Sequence, residues 1–143
     1  MKIDAAIADL LARRDFFSEE MKKKLLDKGF SEEEIHDHIE KWKSRGYLSD
    51  HDLALRFIQK YKASGHGPSV IRSKLFLKCR NPELLSLVSQ VQFDQKEEIV
   101  KIMAKRFAKA DLKEDKQKRR FFSYLLRKGF SMDFILQVFR EIE

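Results

Sequence analysis

Residues 125–131 read LLRKGFS, and residues 25–31 of the same chain read LLDKGFS. Six of the seven positions agree at a spacing of 100. Midway, residues 75–81 read LFLKCRN, a degraded copy that keeps Leu75, Lys78 and a polar helix-starting residue, Asn81, where the others have Ser31 and Ser131. The unit therefore recurs about every 50 residues. Each copy has a local meaning. Leucines close a helix, Gly29 or Gly129 stands where a C-terminal cap needs positive φ, and Phe30 or Phe130 supplies the apolar contact of such a cap. A second helix then opens. Ser31 with Glu34 has the spacing of a capping box, Asn81 precedes Pro82, and Ser131 precedes Asp133. A helical corner used three times, with no strand-like alternation between copies, is the mark of a stacked helical array.

Outward from these corners the apolar residues keep a 3.6-residue rhythm. Ile3, Ile7, Leu10 and Leu11 mark a first helix over residues 2–14; Ser18 is expected to cap a second, with Met21, Leu25 and Leu26 inward; Ile35, Ile39 and Trp42 stripe a third. Gly46 to Asp50 is a joint, after which Leu53, Ala54, Phe57, Ile58 and Tyr61 share a helix. Two glycines and a proline in residues 64–68 stop it. Val70, Ile71, Leu75 and Phe76 follow, then Leu84, Leu85, Val88 and Val91. In the last third, Ile99, Val100, Met103, Ala104 and Phe107 mark one helix, a polar connector spans residues 110–115, and two helices carry Phe121, Phe122, Leu125 and Leu126, then Phe134, Ile135, Val138 and Phe139. The expected fold is all-α: nine helices in a tandem array of three three-helix modules (residues 1–47, 48–92 and 93–143), elongated and curved.

Composition narrows the function. With 43% apolar residues and only 5 Gly and 2 Pro in 143, the chain can bury a core. The single cysteine, Cys79, forbids an internal disulfide and a cysteine zinc cluster, and points to a reducing cytosol. No apolar run approaches the ~20 residues that span a bilayer, and Asp4 and Asp9 interrupt the N-terminal apolar stretch, so a cytoplasmic protein with no membrane partner is expected. The net charge of +7 is unevenly placed: residues 101–128 hold eleven Lys or Arg against three acids, a local surplus of +8, and the rest sum to −1. A basic block on a neutral scaffold suggests an anionic partner, nucleic acid or an acidic protein surface; a solvated helix face is the competing reading.

Enzymatic signatures are missing. His36 and His38, two apart, point to different helix faces, and no His-Glu-x-x-His, phosphate loop or nucleophile elbow occurs. Cys79 at a helix end reads as a small buried apolar residue, and the Phe16-Phe17 and Phe121-Phe122 pairs as packing. No catalytic residue, metal ligand or cofactor is expected.

Motifs over nearly the whole chain resemble one family. They are Arg13-Arg14 with Ser18 and Leu25-Leu26-x-Lys28-Gly29-Phe30; Gly46-Tyr47-Leu48-Ser49-Asp50 with Ala54; Gly65-x-Gly67-Pro68-x-x-Ile71; and Lys105-Arg106-Phe107 with Lys118, Phe121 and Leu125-Leu126-Arg127-Lys128-Gly129-Phe130. In this order they resemble the RecX regulators of the RecA recombinase, with one departure at Cys79-Arg80, where glycine and an aliphatic residue are usual. The resemblance implies a cytosolic, non-enzymatic protein of tandem three-helix modules that binds RecA filaments in recombination and DNA repair, and that mostly inhibits ATP hydrolysis and strand exchange; a monomer is expected. The residues expected to meet the filament, or DNA without sequence preference, are the basic ones: Arg13 and Arg14; Lys60, Lys62 and Arg72; and Lys105, Arg106, Lys118, Arg119, Arg120, Arg127 and Lys128. Base-specific reading is not expected, because the helix after Gly29 opens with Glu32, Glu33 and Glu34, which repel phosphate.

Overall fold

The computed structural model of the chain describes residues 2–91, 93–107 and 113–142. Nine α-helices and no strand occur among the described residues: α1 (Ile3–Arg13), α2 (Ser18–Asp27), α3 (Glu32–Ser44), α4 (Asp50–Ala63), α5 (Pro68–Cys79), α6 (Pro82–Gln90), α7 (Gln95–Arg106), α8 (Asp115–Arg127) and α9 (Met132–Ile142). Lys109 of the basic block and residues 110–112 of the expected connector lie outside the described residues.

Two compact units hold these helices. One comprises Met1–Phe57 and Leu75–Leu87, the other Ile58–Lys74 and Val88–Glu143. In the first, α1, α2 and α3 enclose Ile3, Ala6, Ile7, Leu10, Phe16, Met21, Leu25, Ile35, Ile39 and Leu48, with Phe30 and Trp42 packed against them. Each fully buried aliphatic residue here contributes about 1.5–3 kcal/mol relative to exposure. Asp4 on α1 accepts from Trp42 Nε1 at 2.9 Å and lies 2.8 Å from His38 Nδ1, which ties α1 to α3. These two partners, Trp42 foremost, hold the Asp4 carboxyl below its ordinary pKa. In the second unit, α7, α8 and α9 enclose Ile99, Ile102, Met103, Phe121, Leu125, Phe130, Ile135, Val138 and Phe139.

The corners form as their sequences require. Gly29 and Gly129 take φ of +95° and +100°, Ser31 Oγ accepts from Glu34 N at 3.2 Å, and Asn81 Oδ1 accepts from Glu83 N at 3.0 Å. The degraded corner is reshaped: Arg80, with φ of +51°, takes the left-handed position immediately after α5, and Cys79 is buried.

Several local expectations are corrected. Ser18 does not cap α2; Phe17 does, its amide donating to Glu20 Oε1 at 3.1 Å, while the Ser18 amide donates to Asp50 Oδ1 at 2.8 Å. Ser18 is instead the first helical residue, and its otherwise orphan amide is satisfied by a carboxylate 32 positions away. Leu26 and Leu126 stay more than a third exposed and Val100 half exposed, because each lies at the edge of a stripe already filled by Leu25, Leu125 and Ile99. Ala104 is likewise exposed, and Leu87 and Ile102 take buried places that the rhythm did not single out.

Candidate anion-binding cleft on α8

Helix α8 carries its charge on one face for a geometric reason. At about 100° per residue, positions 116, 120, 123 and 127 fall within a narrow stripe and 119 lies beside it, while 121 and 125 point the other way. Phe121 and Leu125 are buried in the core, and Lys116, Arg119, Arg120, Ser123 and Arg127 are exposed. The stripe runs along about 16 Å of helix at ~1.5 Å per residue. Lys118 falls on the apolar side of the same helix and is half-buried.

The C-terminal end of α7 completes a cleft of about 530 Å³ lined by Arg106, Phe107, Lys116, Arg119, Arg120, Phe121, Ser123, Tyr124 and Arg127. Arg106 Nη1 donates to the Tyr124 hydroxyl, and its guanidinium carbon lies 4.6 Å from the Tyr124 ring centre. Phe107 meets the same ring edge-on at 5.6 Å and packs on Phe121 at 3.7 Å. Arg106, although exposed, is thereby held by two contacts to one ring. Among the described residues, five cations and no carboxylate line this cleft. Arginine forks pair bidentately with carboxylate or phosphate oxygens, so the surface suits a polyanion more than a single ion.

Tyr124 also borders a neighbouring cleft with Lys101, Lys105, Lys128 and Glu98. That one is electrostatically mixed. Glu97 at 3.3 Å and Glu98 at 3.6 Å flank the Lys101 ammonium and, Glu97 foremost, raise its pKa.

Of the twelve basic residues expected to meet a partner, Arg106, Arg119, Arg120 and Arg127 are brought together in the α8 cleft, and Lys105 and Lys128 line its neighbour. Lys60, Lys62 and Arg72 do not line the α8 cleft; Lys60 Nζ is 5.7 Å from the Tyr61 ring centre and Lys62 Nζ 5.3 Å from that of Phe93. Arg13 and Arg14 belong to the other unit. Arg13 is exposed in the last turn of α1, whereas Arg14 pairs with Glu20 at 3.3 Å and covers the Phe16 ring at 3.7 Å, which gives it a local structural use. Lys116, Phe107, Ser123 and Tyr124 were missed as site residues. The signal was present: Lys116 stands four before Arg120 and Ser123 four before Arg127, a spacing that a helix turns into one face.

Comparisons with known proteins place this geometry in a family. The family model described as RecX, third three-helix domain, matches residues 94–139, which contain α7, α8 and most of α9. Regulatory protein RecX of Legionella pneumophila is 30% identical over 138 residues, covering 94% of this chain and 90% of the relative. That of Syntrophotalea carbinolica is 27% identical, covering 92% and 90%. The crystal structure of RecX from Lactobacillus salivarius superposes with a TM-score of 0.83 over 96% of this chain and 92% of that one, at 22% identity, a likeness of fold.

Proposed function

Because the chain belongs to the RecX family of regulatory proteins, we propose that it binds RecA–DNA filaments and modulates them, chiefly by inhibiting RecA ATP hydrolysis and strand exchange. The observation that carries this reading is the α8 cleft, in which Arg106, Lys116, Arg119, Arg120 and Arg127 face solvent without a carboxylate among the described lining residues. A filament of RecA on DNA offers what such a cleft suits, acidic protein surface and phosphodiester together.

In this reading the protein acts by occupancy and not by catalysis, as a cytoplasmic monomer whose three-helix modules (residues 1–47, 48–92 and 93–143) touch successive filament subunits. Weak contacts linked in one chain reinforce one another through effective concentration. Arg13, Lys60, Lys62, Arg72, Lys105, Lys118 and Lys128 would supply contacts outside the cleft. No helix among the described residues is long and apolar enough to cross a membrane.

The test is RecA-catalysed ATP hydrolysis on single-stranded DNA, titrated with this protein at low and high salt, beside its binding to bare DNA. Inhibition at concentrations well below that of RecA, with weak binding to bare DNA, is the expected result. The second reading, a nonspecific DNA binder, is favoured by the same cluster of five cations among the described lining residues. It predicts no effect on hydrolysis and tight binding to bare DNA that falls steeply with salt.

A further inference from the structure

The corner that occurs almost unchanged at residues 25–31 and 125–131 has two different surroundings. Its internal geometry is the same in both. Gly29 N donates to Leu26 O at 3.0 Å and Phe30 N to Leu25 O at 3.2 Å; Gly129 N donates to Leu126 O at 3.0 Å and Phe130 N to Leu125 O at 3.2 Å. With φ of +95° and +100°, both present the carbonyls at the end of a helix in the same way.

At the later copy those carbonyls are used by another element. Lys128 O accepts from Gly67 N at 2.6 Å and Gly129 O from Ser69 N at 3.2 Å, so the opening turn of α5 is seated on the end of α8. The approach is backbone to backbone: a Cβ on Gly67 would lie 2.3 Å from the Gly129 carbonyl carbon, and one on Gly129 would lie 2.6 Å from Val70 N. Gly129 and Phe130 are buried. At the earlier copy, a Cβ on Gly29 would meet nothing within 4 Å, Lys28 and Gly29 are exposed, and Phe30 is only half-buried. The loss of cover falls on the residues that α5 covers in the later copy.

The repeat identifies what is missing. One 50-residue step back from Gly67 and Lys128 lie Phe17 and Lys78, at the start of α2 and near the end of α5. There, too, the start of one helix meets the end of another: Glu20 lies 3.5 Å from Lys78 Nζ, and Glu19, Glu20, Leu77 and Lys78 line one groove. The start of α5 is thus seated backbone to backbone on the end of α8, whereas the start of α2 meets the end of α5 through side chains, Glu20 on Lys78. At the end of α2, no atom of the described residues lies within 4 Å of a Cβ placed on Gly29.

We propose that the α2–α3 corner is a docking site for the first turn of a helix on another protein, led by glycine or a similarly small residue, its N–H groups meeting the carbonyls of Lys28 and Gly29. The occupant's chemistry is read from residues 65–70, GHGPSV, which fill the equivalent place on the later copy. A helix start carries about +0.5 charge and a helix end about −0.5, so end-to-start docking pairs both the dipoles and the orphan polar groups. The exposed Asp27, Glu32 and Glu33 around Gly29 add to the attraction for a positive helix start. The lead residue must be small for the reason that Gly67 must.

The site shares no residue with the α8 cleft, and its test does not use the filament. The 15N-labelled full chain is titrated with an acetylated peptide of residues 64–79, Cys79→Ser, stapled across positions 73 and 77 and verified helical by circular dichroism. Saturable shifts of the Lys28, Gly29 and Phe30 amides are expected. Binding should weaken at least tenfold for the peptide carrying Gly67→Val, and for the chain carrying Gly29→Asn, since asparagine tolerates positive φ yet adds a Cβ. No shift at millimolar helical peptide, equal binding of the Gly67→Val peptide, or shifts confined to residues 128–130 would overturn the proposal. Shifts at residues 28–30 that grow with the chain's own concentration, without peptide, would overturn it in favour of self-assembly.

Discussion

The Gly67 amide donates to the Lys128 carbonyl at 2.6 Å, and no side chain stands between the two backbones. Gly29 and Gly129 share a conformation and differ in cover, so alanine at each separates strain from contact. Both substitutions incur about 1 kcal/mol of left-handed strain. Gly129→Ala should lose about 1–3 kcal/mol more, because its Cβ drives into Val70. Urea denaturation of the two variants checks this, and equal losses would mean that the approach of α5 relaxes at little cost.

Arg80 is the one non-glycine residue with positive φ among the described residues. Its guanidinium carbon lies 5.6 Å from the Phe76 ring centre, an exposed contact worth little. Left-handed backbone costs a non-glycine residue about 1–2 kcal/mol, part of which glycine returns through unfolded-chain entropy. Arg80→Gly should therefore raise stability by about 0.5–1 kcal/mol in the same denaturation assay.

Reversing Lys116, Arg119, Arg120 and Arg127 to glutamate together turns the α8 face acidic without touching the buried Phe121 and Leu125. Helicity by circular dichroism should be unchanged and inhibition of RecA hydrolysis lost. Arg14→Ala, by contrast, removes the contacts to Glu20 and Phe16 and should leave inhibition intact while lowering stability by up to about 1 kcal/mol. A quadruple variant that still inhibits at wild-type concentration would reduce the basic face to a solvated surface.

Burial first, then the Lys128 and Lys74 charges, lower the pKa of His66, whose ring meets Tyr61 edge-on at 5.2 Å. The folded state thus binds the proton less readily than the unfolded chain. The stability this gives is present above the unfolded value of about 6.5 and is lost as pH falls through the lower folded value. An NMR titration should place the His66 midpoint below 6.5, and Lys128→Ala should move it up. A midpoint unmoved by Lys128→Ala would show that burial alone sets it.

Reading the chain alone was enough for the order of the nine described helices and for the corners between them, because these follow from neighbours a few residues apart: a leucine pair, a glycine that accepts positive φ, a serine or asparagine that caps. It also located the basic block, since charge density is a property of the chain. Helix phase separated Arg119, Arg120 and Arg127 from Lys118 once the bounds of α8 were known, and it would have added Lys116. What tertiary structure alone decided rests on residues far apart in the chain. The end of α7 brings Arg106 onto Tyr124, Asp50 accepts from the Ser18 amide across 32 positions, and Gly67 finds Lys128 across 61 positions. Two corners with one sequence become buried in one case and open in the other, because a corner's sequence specifies its own turn and says nothing of which distant helix will be seated on it.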